Sequence, residues 1–291
     1  MVPHEAFGVK HRRVWPALLL PPLLLAGCVA PPARVNQAAE MRAANDPASL
    51  TRIGDAAAAS GDEATAISFY RRATELQPGD ADAAIDYART LAAQGKNAEA
   101  IEALQASLPH ADATGAARLS TMLGKLLILA HRPAEAVSAF RMGLARTPNV
   151  ASLLIGLGVA LDATRDFPAA QDAYRRAIAI EPRSIAARND LGLSIALQGD
   201  TAQAVAALTS LRDQVARTDG KTSDLAMIDG NLALVYAMQG NIDQAGTIGA
   251  GATSNAGDLA GNMLFYSALA PGAPVSGALD SKGLTAAAPA D

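Results

Sequence analysis

A fixed spacing of small, aromatic and proline residues constrains the fold of this chain more than any other feature. Ala66, Tyr70, Ala73 and Pro78 repeat their spacing as Ala136, Phe140, Gly143 and Pro148, and again as Ala170, Tyr174, Ala177 and Pro182. A glycine stands at the same offset upstream of each set: Gly54, Gly124 and Gly158. From Pro148 to Pro182 the period is 34 residues. Self-similarity at such a period marks a unit that cannot bury its apolar face alone and must stack on copies of itself. Each signature position has a physical reason. Glycine in a first helix and alanine in a second let the two approach closely, the aromatic ring fills the gap to the next unit, and proline ends the second helix.

This pattern resembles the tetratricopeptide repeat, a helix–turn–helix unit of that length. The expected fold is all-α: a tetratricopeptide-repeat superhelix of about five to six units. Frames fall near 47–80, 81–114, 117–150, 151–184 and 185–218, and a sixth starts near Ala226 with Leu232, Tyr236, Gly240 and Ala245 in register. The second unit is degraded, carrying Leu104 and Ser107 at the aromatic and small positions. An insertion in 205–225 breaks the period. The turns carry matching chemistry: Gly61-Asp62, Gly199-Asp200 and Gly240-Asn241 put glycine at a helix end and a capping side chain at the next start. Asp200 with Gln203, and Asn241 with Gln244, have capping-box spacing. A generic alanine-rich bundle is the competing fold, and the shared register disfavours it. The first helix of each unit is expected to line a concave face.

Half of the residues are hydrophobic but only 4% are aromatic, so packing rests on small contacts between close helices. The N-terminal 27 residues contain Lys10, Arg12, Arg13 and Glu5; without them 21 basic (24 less 3) and 27 acidic (28 less 1) side chains remain, a formal charge of −6. That balance gives no electrostatic footprint for nucleic acid.

The single cysteine, Cys28, closes Leu25-Ala26-Gly27-Cys28. This tetrapeptide resembles the lipobox of bacterial lipoproteins, in which the cysteine is lipidated and becomes the mature N-terminus. Upstream lie a basic stretch (Lys10 to Arg13) and an apolar run from Val14 to Leu25, the order of a secretory signal. The run is about twelve residues against the roughly 20 a spanning helix needs, and Pro16, Pro21 and Pro22 interrupt it. An ordinary signal peptide with an incidental cysteine is the alternative. Val29 follows the cysteine, which by resemblance to the enterobacterial sorting pattern favours the outer membrane. The expected division is signal peptide 1–27, lipidated N-terminus and tether 28–46, repeat domain 47–250, C-terminal capping helix 251–270 and disordered tail 271–291. The capping helix is expected from the helical period of Asp258 to Leu269, and the tail from its Gly, Ala, Pro and Ser content.

A lipobox, a tether, about five such repeats and a terminal helix together resemble the TadD family, lipoproteins of the tight-adherence (Flp-type) pilus system. The segments that carry the likeness are Asn231-Leu-Ala-Leu-Val-Tyr236 and Asn262-Met-Leu-Phe-Tyr266. The resemblance implies a pilotin or assembly factor: a lipid-anchored, periplasm-facing scaffold at the outer membrane whose partner is the secretin or another pilus component. A general periplasmic adaptor in envelope biogenesis is the alternative reading.

Chemistry is sparse. Beyond the signal only His110 and His131 remain as histidines, without a second ligand at metal spacing and too few for a Ser/His/Asp arrangement. Gly246, Gly249 and Gly251 lack the lysine of a phosphate loop and are expected in a loop or frayed helix end. Arg71-Arg72 and Arg175-Arg176 fall on second helices, expected to be solvated. The expectation is a non-enzyme with no cofactor and no metal, its only attached group a covalent lipid on Cys28. Candidate partner contacts are polar residues of the first helices: Arg52, Asp55, Asp82, Arg89, Arg118, Lys125, Asn189, Asp190 and Asn231. In the family's register Asn189 and Asn231 fall near positions that hold peptide backbone. The basic residues are too scattered for a carboxylate clamp. Plain solvation of a concave face is the competing reading for each of them.

Overall fold

The computed structural model describes residues 45–218 and 222–252. Among the described residues there are twelve α-helices and no strand. They form six consecutive pairs: α1 (Pro47–Ala59) with α2 (Glu63–Leu76), α3 (Ala81–Ala93) with α4 (Asn97–Ser107), α5 (Ala113–Leu129) with α6 (Pro133–Arg146), α7 (Ala151–Ala163) with α8 (Phe167–Ile180), α9 (Ile185–Leu197) with α10 (Thr201–Arg217), and α11 (Thr222–Met238) with α12 (Ile242–Ala252). The expected signal peptide, Cys28, most of the expected tether, and the expected capping helix and tail beyond Ala252 lie outside the described residues. No described helix is long and apolar enough to cross a membrane.

Local sequence sets the helix ends. Asp46, Asp62, Asp80, Asp112, Asp166, Ser184 and Asp200 each accept a backbone N–H from the first turn that follows, for example Ser49 N–H at 2.9 Å and Gln203 N–H at 3.0 Å. Each such cap stabilises its helix by about 1 kcal/mol. Asn241 differs from its expected role: its amide donates to Gln239 Oε1 at 3.3 Å. Pro78, Pro148 and Pro182 stand two residues beyond the last residues of α2, α6 and α8.

The irregular repeats are absorbed as helix length. Helices α5 and α10 each run 17 residues against 11 to 14 for their counterparts in the other described pairs up to α9. The degraded second unit closes with a 3₁₀ turn, Leu108–His110, that contains Pro109, while the closing register position of the other units' prolines holds Asp112. Arg146 of the next unit holds that turn, donating to the Leu108 carbonyl at 3.2 Å and the Ala111 carbonyl at 2.8 Å. The glycine-rich 246–251 stretch, expected as a loop or frayed end, lies within α12 with Gly249 buried. Alanine and glycine on that helix permit close approach to α11, which outweighs glycine's weak helix propensity.

Every described second helix packs on its own first helix, and all but α12 pack also on the first helix of the next unit. The first helices also pack directly on one another, α3 on α5, α5 on α7, α7 on α9 and α9 on α11. Neighbouring first helices therefore lie closer together than neighbouring second helices, and the stack curves toward the first-helix side. Tyr70, Phe140 and Tyr174 are buried at these junctions, with 3%, 0% and 1% of their surface exposed.

The turn inside each pair needs one residue with positive φ. Glycine supplies it at Gly61, Gly95, Gly199 and Gly240, but His131 (φ 56°) and Arg165 (φ 64°) take it in the third and fourth units. A side chain there costs about 1–2 kcal/mol, partly offset by the entropy glycine loses on folding. His131→Gly and Arg165→Gly are each expected to stabilise the domain by about 0.5–1 kcal/mol, read as a rise in thermal midpoint. A fall in midpoint for both would show that the side chains earn their strain through contacts.

Candidate functional site

The exposed face of the first helices is where the stack can hold a partner, and its two halves differ in chemistry. In the N-terminal half two of the acids have ion-pair partners. Arg118 on α5 pairs with Asp82 on α3, and that pairing holds the Asp82 carboxyl below its ordinary value. Arg89 Nη1 lies 2.9 Å from Asp86 Oδ1 on the same helix. Burial still pushes Asp86 up, with Arg89 acting against it. Arg52 donates to Ser49 Oγ at 3.0 Å. Asp55 accepts the Tyr70 hydroxyl at 2.8 Å, so part of its role is to satisfy a core tyrosine whose phenol burial drives strongly upward. Lys125 is exposed on α5 and has no hydrogen bond or ion pair among the described residues.

The C-terminal half is apolar with embedded acids. Ile155, Val159 and Asp162 follow i, i+4, i+7 spacing on α7, and Asp190, Leu193 and Leu197 follow i, i+3, i+7 spacing on α9, so each set shares one face. Asp162 accepts the Tyr174 hydroxyl at 2.9 Å and the Ser194 hydroxyl at 2.6 Å. Burial raises its carboxyl above the ordinary value, and these two hydrogen bonds oppose the rise. Burial pushes Asp190 up to about 6, helped by the charge of Asp162 and opposed by Asn189. Asn189 is buried, its amide nitrogen 3.3 Å from Asp190 Oδ1 and its amide oxygen without any donor. Among the described residues no lysine or arginine pairs with either carboxylate.

Of the residues expected from sequence, the structure thus brings Asp82 to Arg118 and Asn189 to Asp190. Asn231 is half-buried on α11, apart from them in the stack. Asp86, Asp162 and Ser194 were not singled out by sequence, nor was the Arg212–Asp229 pair that ties α10 to a nearly buried carboxylate on α11. Asp162 had a signal. At its register position the other units carry Ala58, Ala92, Ile128, Ala196 and Ala237, so it is the one charge in an apolar column. Arg71, expected as a solvated second-helix charge, instead donates to the Tyr87 hydroxyl of the next unit at 2.9 Å, its guanidinium 6.0 Å from the ring centre. Among the described residues no group of three or more His, Cys, Asp or Glu is placed to hold a metal ion.

Tetratricopeptide-repeat profiles match residues 57–126, 121–184 and 155–217. No curated protein matches the sequence. Among solved structures, the chain is similar to the MamA protein at 23% identity and a TM-score of 0.51, over 60% of this chain and 93% of that one. MamA from residue 41 onward of Desulfovibrio magneticus RS-1 gives 19% identity and a TM-score of 0.51, over 60% of this chain and 98% of that one. The Cut9–Hcn1 hetero-tetramer of the APC/C gives 17% identity and a TM-score of 0.54, over 78% of this chain but 44% of that one. At these identities the likeness concerns the fold. Repeats of this kind make a protein-binding scaffold, with a long surface for a partner and no catalytic apparatus inherent in the architecture. The signature residues, the stacking of first helices and the profile matches, which together span 57–217 of 291 residues, agree: the chain belongs to the tetratricopeptide-repeat family.

Proposed function

We propose that this protein is a lipid-anchored scaffold acting as a pilotin or assembly factor for the secretin of a tight-adherence (Flp-type) pilus. The observation that carries this reading is one chain joining a lipobox ending at Cys28 to a tetratricopeptide-repeat domain, with Asn231 to Tyr236 and Asn262 to Tyr266 in the order that resembles the TadD family. Lipid on Cys28 places the scaffold at the outer membrane facing the periplasm, and the first-helix face holds the secretin or another pilus component. Multiple acyl chains are needed for stable anchoring, since one alone binds a membrane only weakly and reversibly. The reading requires no cofactor.

Two linked measurements test it. Radioactive palmitate is expected to label the wild type and not Cys28→Ala; equal labelling would refute the anchor. Deletion of the protein is expected to deplete detergent-resistant secretin multimers from the outer membrane, and Cys28→Ala to reproduce that loss while the protein still folds. Normal multimers in the deletion strain would overturn the pilotin role and point to a general adaptor of envelope biogenesis.

A further inference from the structure

The two halves of the first-helix face differ in one respect that bears on what the scaffold holds. Asp82 and Asp86 have their own arginines, Arg118 and Arg89. Asp162 and Asp190 have none among the described residues, although both are largely withdrawn from water, and the charge of Asp162 raises the cost of ionising Asp190. Folding normally pairs a buried charge or removes it. Here the donors supplied from within are the hydroxyls of Tyr174 and Ser194 on Asp162, and only the Asn189 amide on Asp190. The cluster is also short of donors in a second, independent way. The amide oxygen of Asn189, a residue 1% exposed, is enclosed and accepts no hydrogen bond. Three acceptors on adjacent helices therefore lack a cationic donor, while Val159 and Leu193 offer apolar surface beside them on α7 and α9.

We propose that this cluster is a socket for a cationic side chain, arginine or lysine, presented by the protein partner. The proposal rests on the scaffold reading above and adds to it the chemistry of one contact. A guanidinium carries five N–H donors in a planar fork and no acceptor, which suits two neighbouring carboxylates. Its methylene stem lies along the apolar surface of α7 and α9 while the head reaches the acids. Specificity follows from the same charges, because a glutamate or aspartate at that point of the partner would meet two carboxylates of like sign.

The test uses the full chain in detergent and fluorescein-labelled nonapeptide pools. The pools are degenerate over uncharged residues and fixed at the central position as arginine or as citrulline, its neutral isostere. The arginine pool is expected to bind at least about tenfold more tightly by fluorescence anisotropy, and the advantage to vanish in Asp162→Asn/Asp190→Asn. Equal affinity of the two pools for the wild type overturns the socket and leaves peptide binding by this face standing. An arginine preference that survives in the double variant also overturns it. Binding of neither pool overturns the socket together with the view that this face holds an extended peptide. The wild-type comparison needs no variant to fold.

Discussion

Gly124→Ala is expected to destabilise the domain by about 1–3 kcal/mol, although alanine is the better helix former by about 1 kcal/mol. The reason is the seat of Phe140. Its ring is fully buried, and a Cβ on either Gly124 of α5 or Gly156 of α7 would overlap the ring edge. The ring is thus flanked by glycines of two consecutive first helices and has no room to retreat from either. The same conflict is expected for Gly156→Ala. Phe140→Ala removes the ring and leaves a void, at a cost of about 3–5 kcal/mol. Urea denaturation followed by circular dichroism measures all three. In a Gly124→Ala background, shrinking Phe140 to leucine is expected to cost less than it does in the wild type, because it relieves the overlap. A Gly124→Ala protein more stable than the wild type would show that the ring is free to shift.

The second large effect depends on pH. Asp190→Asn is expected to raise stability at neutral pH by about 1–2 kcal/mol, less than the full two-unit rise implies because the carboxylate keeps some solvent. The sign follows from linkage. The folded carboxyl titrates near 6 and an unperturbed one near 3.8, so the folded state binds its proton more tightly. Folding stability from this group is therefore greatest below about 4, falls as pH rises to about 6, and stays reduced above that. The groups that face Asp190 are Asp162 and Tyr174 from α7 and α8, and Asn189 from its own helix. None is cationic. Asparagine never ionises and keeps an oxygen for the Asn189 amide. The gain is expected to shrink toward zero at pH 4, and thermal midpoints across that range check it. A gain that is equal at pH 4 and pH 7 would mean that packing, not charge, is responsible.

These two predictions mark where sequence was sufficient and where it was not. The spacing of Gly54, Gly124 and Gly158 from Tyr70, Phe140 and Tyr174 was legible, because glycine and ring belong to one helical pair. The part of Gly156 was not, since its contact with Phe140 crosses from one unit to the next. Asp190 was legible as a polar residue of a first helix. Its partner Asp162 was hidden, although its apolar register column could have exposed it. Asp55 was legible as polar but not as the acceptor of the Tyr70 hydroxyl.

The sequence by itself determined the unit: helix starts at Asp62 and Asp200, stops before Pro78, Pro148 and Pro182, and a period that obliges the pairs to stack. These are short-range signals, and capping, turn and proline chemistry act over a few residues. The tertiary structure decided which charges find partners. Stacking places Arg118 on Asp82 and leaves Asp162 and Asp190 together with no cation among the described residues, by contacts between residues about one repeat apart that no local spacing encodes.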